Sequence, residues 1–118
     1  MSVQFVKASS EGLYNDNAAF TAAPATISAW FLPDTTTEVM EIVFVGDKDS
    51  ANSDRFAMQC TSSPDKLRFQ VRTGSSTNAT TGNTLTDGSW HHGCACEIAA
   101  NDHQVYLDGD TANKGTST

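Results

Sequence analysis

The chain has 118 residues and a net charge of −7, from fourteen acidic against seven basic residues. This length suits one domain, so we expect a single unit over residues 1–118. The acidic balance argues against nucleic acid and anionic membranes as partners. No segment reaches the roughly 18 consecutive apolar residues of a membrane span, and the N-terminal residues lack the apolar stretch of a Sec signal.

The sequence predicts an all-β domain. Serine, threonine, glycine and asparagine are dense, and no apolar stripe of helical period persists. Short β-type runs bounded by turn residues recur instead, which is typical of a sandwich or barrel. In chain order, the predicted strands cover residues 3–6, 26–32, 39–45, 55–61, 66–72, a run that begins near Trp90, and 103–107.

The patterns within these runs predict which faces are covered. Residues 26–32 and 39–45 carry apolar side chains on both faces, which indicates central or covered strands. Residues 55–61 and 66–72 alternate, so one face should be buried and the other solvated. Residues 73–83 are expected to be too polar to pack a core, with a short edge strand around residues 84–86. The predicted inward side chains are Phe56, Met58, Cys60, Leu67, Phe69 and Val71.

The segment SWHHGCACE, residues 89–97, places two histidines and two cysteines within six residues. As a strand, it puts His92, Cys94 and Cys96 on one face together with Ile98. The first three are zinc-ligand types, but structural zinc sites usually take cysteine pairs from a tighter turn. We therefore predict no metal site, and we interpret both cysteines as small core residues beside Ile98.

Cysteine number and spacing also limit disulfide and metal chemistry. The chain has three cysteines, and Cys94 and Cys96 are separated by one residue, so a full disulfide framework is excluded. A zinc ion would need a fourth ligand from His103 or Cys60, and the CxxC spacing of a redox site is absent. Free thiols suit a protein that is made and kept in a reducing cytoplasm. A component of a virus particle that is assembled inside its host cell also fits this description.

Residues 47–54, DKDSANSD, are rich in oxygen-bearing side chains and resemble a calcium loop. An EF-hand needs glycine at its sixth position and glutamate at its twelfth, where this loop has Asn52 and Met58. Aspartate and asparagine also favour turns without any ion. We predict no cofactor, with calcium in this loop as the open alternative. A G-x-S-x-G nucleophile motif is absent from the sequence.

Three segments in order resemble the laminin G-like members of the concanavalin A-like lectin/glucanase superfamily. They are residues 3–14 (VQFVKASSEGLY), 25–33 (ATISAWFLP) and 85–109 (LTDGSWHHGCACEIAANDHQVYLDG). In the last segment, DG at 87–88 matches the family's turn, WHH at 90–92 its strand entrance, and YLDG at 106–109 its second strand and turn. The resemblance is greatest to domains of bacterial and tailed-phage surface proteins.

The resemblance implies a jelly-roll sandwich of two antiparallel sheets, with ligands on its concave face or along one rim. Members usually continue past this hairpin with further strands. We therefore expect the last strands to be missing here, so that the core is completed by a further segment or a partner chain.

Some superfamily members are glycoside hydrolases, which need two carboxylates about 5 Å apart. Glu38 and Glu41 are three residues apart and so point to opposite faces of a strand. We predict that the protein is not an enzyme. The leading hypothesis is a non-catalytic binding or adhesion module that recognises a glycan or a protein surface.

The alternative hypothesis is a structural virion component, such as a capsid decoration or tail-associated protein, that packs against neighbouring subunits or copies of itself. Both hypotheses locate the protein at a virion or cell surface. No ligand-binding or catalytic residue can be assigned from the sequence. Trp30 and Trp90 are either stacking platforms or core residues, and the core interpretation is favoured because strand tryptophans are usually buried.

Overall fold

The computed structural model describes residues 23–34, 38–46, 55–62 and 65–118. These residues form strands and turns, with no helix among them. The strands are β1 (Ala25–Phe31), β2 (Met40–Gly46), β3 (Arg55–Cys60), β4 (Lys66–Thr73), β5 (Ser75–Thr84), β6 (His91–Ala99), β7 (Asp102–Leu107) and β8 (Gly115–Ser117).

The strands form two four-stranded antiparallel sheets. Sheet A has the order β1-β6-β7-β8, and sheet B has the order β2-β3-β4-β5. The crossover between β1 and β6 is long, whereas sheet B is a simple meander. This architecture confirms the predicted all-β sandwich of two antiparallel sheets. The predicted strand at residues 3–6 lies outside the described residues.

The core lies between the two sheets. Its side chains come from every second residue of the long strands, which is the period that a half-buried strand requires. The predicted inward residues of β3 and β4 all lie there, although Phe56 is only partly buried. Burial raises the pKa of the Cys60 thiol to about 11, with Asp87 and Asp65 adding a smaller effect. The other buried members include Ile27, Ala79, Leu85, Ala95, Val105 and Leu107.

The polar segment at residues 73–83 was the main error in the strand prediction. It forms the ten-residue β5, which pairs with β4 along most of its length. Its inward positions carry Ala79 and Thr81, and the Thr81 hydroxyl donates to the Asn83 carbonyl oxygen at 3.1 Å. Small side chains and an internally satisfied hydroxyl therefore let a polar strand cover the core. The strand ends at Thr84, before most of the predicted edge strand.

Two expectations about exposure also need correction. Within the described residues, β1 and β2 stand at the ends of their sheets and are not central strands. The outer face of sheet B, predicted to be solvated, is only partly so, because Gln59 and Gln70 are 4% and 8% exposed. Arg55 Nε donates to Gln70 Oε1 and Arg68 Nε donates to Gln59 Oε1, each at 2.9 Å, and these hydrogen bonds make that burial possible.

The short strand β8, which the sequence did not predict, joins the two sheets at one edge. A Cβ atom on Gly115 would lie 2.4 Å from the backbone carbon of Thr80 in β5, so only glycine permits this approach. The Gly82 N–H also donates to the Asn113 carbonyl at 2.8 Å. The expectation of further strands beyond residue 118 stays a prediction.

The turn that leads into β8 is organised by Asp110. Its carboxylate accepts hydrogen bonds from the Asn113 side chain at 2.9 Å and from the Asn83 side chain at 2.6 Å. The backbone N–H groups of Ala112 and Asn113 also donate to it. The hydrogen bonds from Asn113 and Asn83, followed by those from the backbone, lower the pKa of Asp110 to about 2. This turn links β5 of sheet B to the approach of β8.

Candidate binding surface

The segment with histidines and cysteines is β6, and its alternation is as predicted, but the buried face is the opposite one. His91, Gly93, Ala95 and Glu97 point towards sheet B, while Cys94 and Cys96 lie half-buried on the outer face. The interpretation of these cysteines as core residues beside Ile98 is therefore wrong, and Ile98 itself is 48% exposed.

The facing sheet explains this choice of face. A Cβ atom on Gly93 would lie 2.8 Å from the Met58 sulfur and 3.1 Å from a methyl group of Leu67. The large side chains of β3 and β4 thus fill the space that the glycine leaves. Ala95, the next inward residue of β6, is fully buried. Small inward residues on β6 complement large ones on sheet B, as close packing between sheets requires.

His91 is a structural residue that ties the ends of β6 and β7 together. Its Nδ1–H donates to Asp108 Oδ2 at 2.7 Å, and its Nε2 accepts from the Thr86 backbone N–H at 3.1 Å. Nε2 also lies 3.2 Å from the Thr86 carbonyl oxygen, which can accept a hydrogen bond when Nε2 carries a proton. The ring is buried and lies 5.9 Å from that of Phe31. The WHH and YLDG motifs are therefore linked by direct hydrogen bonds.

Asp108 completes this link. Its Oδ1 accepts from the His92 N–H at 2.8 Å, and its own N–H donates to the His92 carbonyl. Its backbone has φ of 54°, a left-handed conformation that aspartate tolerates better than most residues. Partial burial acts to raise the pKa of Asp108, but the hydrogen bonds from His92 and His91 outweigh it and hold the pKa below its ordinary value.

The outer face of β6 carries two half-buried thiols. Cys94 Sγ and Cys96 Sγ are 3.9 Å apart, and the Thr26 hydroxyl donates to Cys96 Sγ at 3.8 Å. Burial, followed by the neighbouring Cys96 thiol, raises the pKa of Cys94. Both groups are free thiols, and a raised pKa makes Cys94 a poor thiolate at neutral pH.

The proposed zinc ligands are not brought together. His103 and Cys60 are buried between the sheets, on the opposite side of sheet A from the outer thiols. Among the residues that the structure describes, no group of three or more histidine, cysteine, aspartate or glutamate side chains is arranged to hold a metal ion. The candidate calcium loop at residues 47–54 lies outside those residues.

The two tryptophans are exposed, so the favoured core interpretation is wrong. Trp30 is 69% exposed and Trp90 56%. The Trp30 ring lies 5.1 Å from that of His92, its partner across β1 and β6, at an interplanar angle of 47°. The pairing ends at Phe31 and His91, and the residues next to that last pair, Leu32 and Trp90, are both exposed, Leu32 by 47%. These residues form an aromatic patch, defined as Trp30, Leu32, Trp90 and His92.

One signal in the sequence identifies this patch. Ile27 is buried in β1, and every residue an odd number of positions from it, including Trp30, points to the opposite face. Because residues 26–32 carry apolar side chains on both faces, their hydrophobic pattern alone does not reveal this parity. Trp90 has no comparable signal because it precedes β6 and its direction depends on the turn before it.

The outer face of sheet A becomes polar beyond the patch. Tyr106 is paired with Cys94, and its hydroxyl donates to Gln104 Oε1 at 2.5 Å. Lys114 Nζ donates to the same oxygen at 3.0 Å and lies 5.8 Å from the centre of the Tyr106 ring. This end of the face therefore has its polar groups already paired with one another, whereas the aromatic patch is open.

The two glutamates tested as a hydrolase pair have different surroundings. Glu41 lies in β2 and accepts a hydrogen bond from Gln59 Nε2 at 3.2 Å. Glu38 is exposed and precedes β2. None of the residues that the structure describes form a helix long and apolar enough to cross a membrane.

A laminin G family model, described as the concanavalin A-like lectin/glucanases superfamily, matches residues 7–118. The match covers nearly the whole chain, including the linked WHH and YLDG motifs and all eight described strands. No curated protein gives a significant match to the chain, and no solved structure does so either. The chain belongs to the laminin G-like group of the concanavalin A-like lectin/glucanases superfamily.

Proposed function

We propose that this domain is a non-catalytic binding module that holds an uncharged glycan by stacking sugar rings on the aromatic patch. Laminin G-like domains are generally non-catalytic binding folds, which supports the module in broad terms. The observation that carries the proposal is the exposure of two indole rings, at Trp30 and Trp90, at one end of sheet A. Large aromatic side chains left open in this way commonly mark interaction sites.

The chemistry of the patch favours a sugar. A pyranose ring has an apolar C–H face and a polar edge, so it gains from a flat aromatic surface with hydrogen-bonding groups beside it. His92 lies against Trp30, and Ser28, the next outward residue of β1, is exposed. An indole and a nearby polar edge are thus available to one ring.

The charge around the patch favours a neutral ligand. Asp34 and Asp87 are exposed on the two loops next to it, and these loops are tied by a hydrogen bond of 2.7 Å from the Gly88 N–H to the Pro33 carbonyl. The whole chain also carries a net charge of −7. Sulfated or carboxylated sugars would be repelled from this end of the domain.

A second candidate function uses the same patch as a contact between subunits of a virion or other assembly. Leu32, exposed beside the two tryptophans, favours it because a contiguous apolar surface also suits protein packing. In that case the isolated chain should associate through the patch and should bind no sugar. The two functions are thus separable by experiment.

The test is glycan-array binding of the purified chain, followed by calorimetric titration with the best neutral oligosaccharide. We expect Trp30→Ala and Trp90→Ala each to weaken binding about tenfold, which corresponds to about 1.4 kcal/mol. Ile98→Ala, at the other end of the same face, is the matched control and should leave binding unchanged. Because the indoles are exposed, thermal stability should stay close to that of the wild type.

Two results would contradict the proposal. The first is retention of glycan binding in the double variant Trp30→Ala/Trp90→Ala. The second is absence of any glycan binding together with concentration-dependent association, measured by light scattering, that the double variant abolishes. The second result would establish the subunit contact instead.

A further inference from the structure

The strand β6 presents two thiols side by side on the outer face of sheet A. Cys94 and Cys96 are two positions apart, so their side chains point the same way. Their Sγ atoms are 3.9 Å apart, and each is a free thiol. Both are half-buried, whereas Cys60 is buried in the core. We call Cys94 and Cys96 the dithiol pair.

The neighbouring strands border the dithiol pair unequally. In β1, Thr26 and Ser28 are the residues paired with the two cysteines, and both of these small side chains are exposed. In β7, the paired residues are Gln104 and Tyr106, which have larger side chains. An ion or a small molecule can therefore approach the sulfur atoms over β1.

The geometry of the strand does not suit a disulfide between the two thiols. That bond needs sulfur atoms about 2.05 Å apart and Cα atoms no more than about 6.8 Å apart. Cα atoms two positions apart in an extended strand are separated by about 6.4–6.8 Å, which is the upper end of that range. Closing the bond would therefore distort β6, which is paired with β1 on one side and with β7 on the other.

A bridging metal ion fits the same pair without any movement of the strand. Zinc–thiolate bonds are about 2.3 Å long, so two sulfur atoms 3.9 Å apart give an S–metal–S angle of about 116°. This angle is close to the tetrahedral value of about 109° that zinc prefers. Because the strand already holds both ligands at a chelating distance, little conformational entropy is lost on binding.

The chemistry of the pair selects a soft cation. Thiolates prefer soft metal ions, whereas Mg²⁺ and Ca²⁺ prefer oxygen ligands. A bound cation deprotonates a coordinating thiol outright, so a thiol that is neutral in the free protein can still bind. The Thr26 hydroxyl donates to Cys96 Sγ at 3.8 Å, and the same hydrogen bond would support a thiolate there. The net charge of −7 also attracts cations to the chain.

We propose that the dithiol pair is a chelating site for a soft, thiophilic metal ion such as Zn²⁺ or Cd²⁺. Binding forms two metal–sulfur bonds, breaks two S–H bonds and releases both protons to solvent. Two protein ligands are fewer than the three or four of catalytic and structural zinc sites, so the ion exchanges readily and keeps positions for water or another ligand. The site needs no glycan and is independent of the proposed function.

The experiment is titration of the full chain, reduced and metal-free at pH 7, with Cd²⁺. Ultraviolet absorption from thiolate-to-cadmium charge transfer reports binding, and we expect about one ion per chain and about two protons released per ion. Cys94→Ser and Cys96→Ser should each weaken binding at least about a hundredfold, since losing only a partner of a metal ligand costs about 10–100-fold. The matched control is Cys60→Ala, which removes a core thiol and should change the affinity less than twofold.

A second measurement needs no variant to fold. The wild-type chain is treated with iodoacetamide at pH 8, with and without Cd²⁺, and its tryptic peptides are analysed by mass spectrometry. The peptide of residues 73–114 contains Cys94 and Cys96, whereas Cys60 lies in the peptide of residues 56–66. We expect Cd²⁺ to protect both cysteines of the first peptide from alkylation.

Three results would overturn the proposal. The first is an unchanged Cd²⁺ affinity in both serine variants, and the second is equal alkylation of the 73–114 peptide with and without Cd²⁺. The third is displacement of Cd²⁺ by an equal concentration of Ca²⁺, which would indicate oxygen ligands instead of sulfur.

Discussion

Replacing Asp108 with asparagine tests whether the hydrogen bonds at the ends of β6 and β7 stabilise sheet A. The carboxylate accepts from the His91 Nδ1–H and from the His92 N–H, one on each oxygen. An asparagine offers one acceptor oxygen, so its NH₂ group would face the second donor. His91 relieves this conflict only by moving its proton to Nε2, which can then donate to the Thr86 carbonyl oxygen at 3.2 Å but leaves the Thr86 N–H without its acceptor.

The expected cost follows from these contacts. A donor left without an acceptor costs about 1–3 kcal/mol when it is buried. The Asp108 side chain is 47% exposed, so water compensates in part and we expect a loss of about 1–1.5 kcal/mol. For a domain of this size that loss corresponds to a fall in Tm of about 4–6 °C.

The assay is urea denaturation at pH 6, with the midpoint and slope compared between variants. Asp102→Asn is the matched control, since among the described residues the Asp102 carboxylate accepts one hydrogen bond, from the neutral Gln104 amide at 3.2 Å. Because the pKa of Asp108 is lowered in the folded state, its stabilising effect is present above the ordinary carboxyl value of about 3.9. The effect is lost as pH falls through the lower folded value. Equal midpoints for Asp108→Asn and Asp102→Asn at pH 6 would refute the reasoning.

Three further predictions concern the core and its edge. Gly115→Ala should lower the free energy of unfolding, measured by urea denaturation, by about 1–3 kcal/mol because its methyl group overlaps the Thr80 backbone. Gly82→Ala, which meets only a side chain at 3.1 Å, should cost less. Burial raises the pKa of Glu97 above its value in the unfolded chain. The ionised Glu97 carboxylate therefore destabilises the folded state once the pH rises above the unfolded pKa, and Glu97→Gln should raise Tm at pH 7 but not at pH 4. Cys60, with a pKa of about 11, should resist iodoacetamide at pH 8 until the protein unfolds, as measured by mass spectrometry of tryptic peptides.

Strand positions were predictable wherever the side chains alternate strongly. The inward residues of β3 and β4 follow from period-two patterning alone. In β4, for example, Phe69 and the apolar residues two positions before and after it are separated by charged or amide residues. The polar strand β5 was not predictable in this way. The strand forms because its backbone hydrogen-bonds to the neighbouring strand β4. The strand propensities of serine and threonine at residues 75–84 do not predict that pairing.

The buried face of β6 could not be predicted from that strand alone. Both of its faces consist of small or polar residues, so hydrophobicity gives no direction along residues 91–97. The buried face is determined by sheet B, because the side chains of Met58 and Leu67 occupy the space that Gly93 leaves free. The buried face of β6 is thus determined by two segments that are distant in the sequence, so the residues of β6 alone do not predict it.

The same choice of face creates the aromatic patch. If Cys94 pointed inward, His92 would point inward with it, and the ring paired with Trp30 would leave the outer surface. Packing between Gly93 and sheet B therefore fixes which residues the domain offers to a ligand. A larger residue at position 93, such as valine, should consequently impair both stability and glycan binding. By contrast, Trp30→Ala and Trp90→Ala should impair binding without lowering stability. This difference distinguishes a residue that orients β6 by packing from residues that contact the ligand.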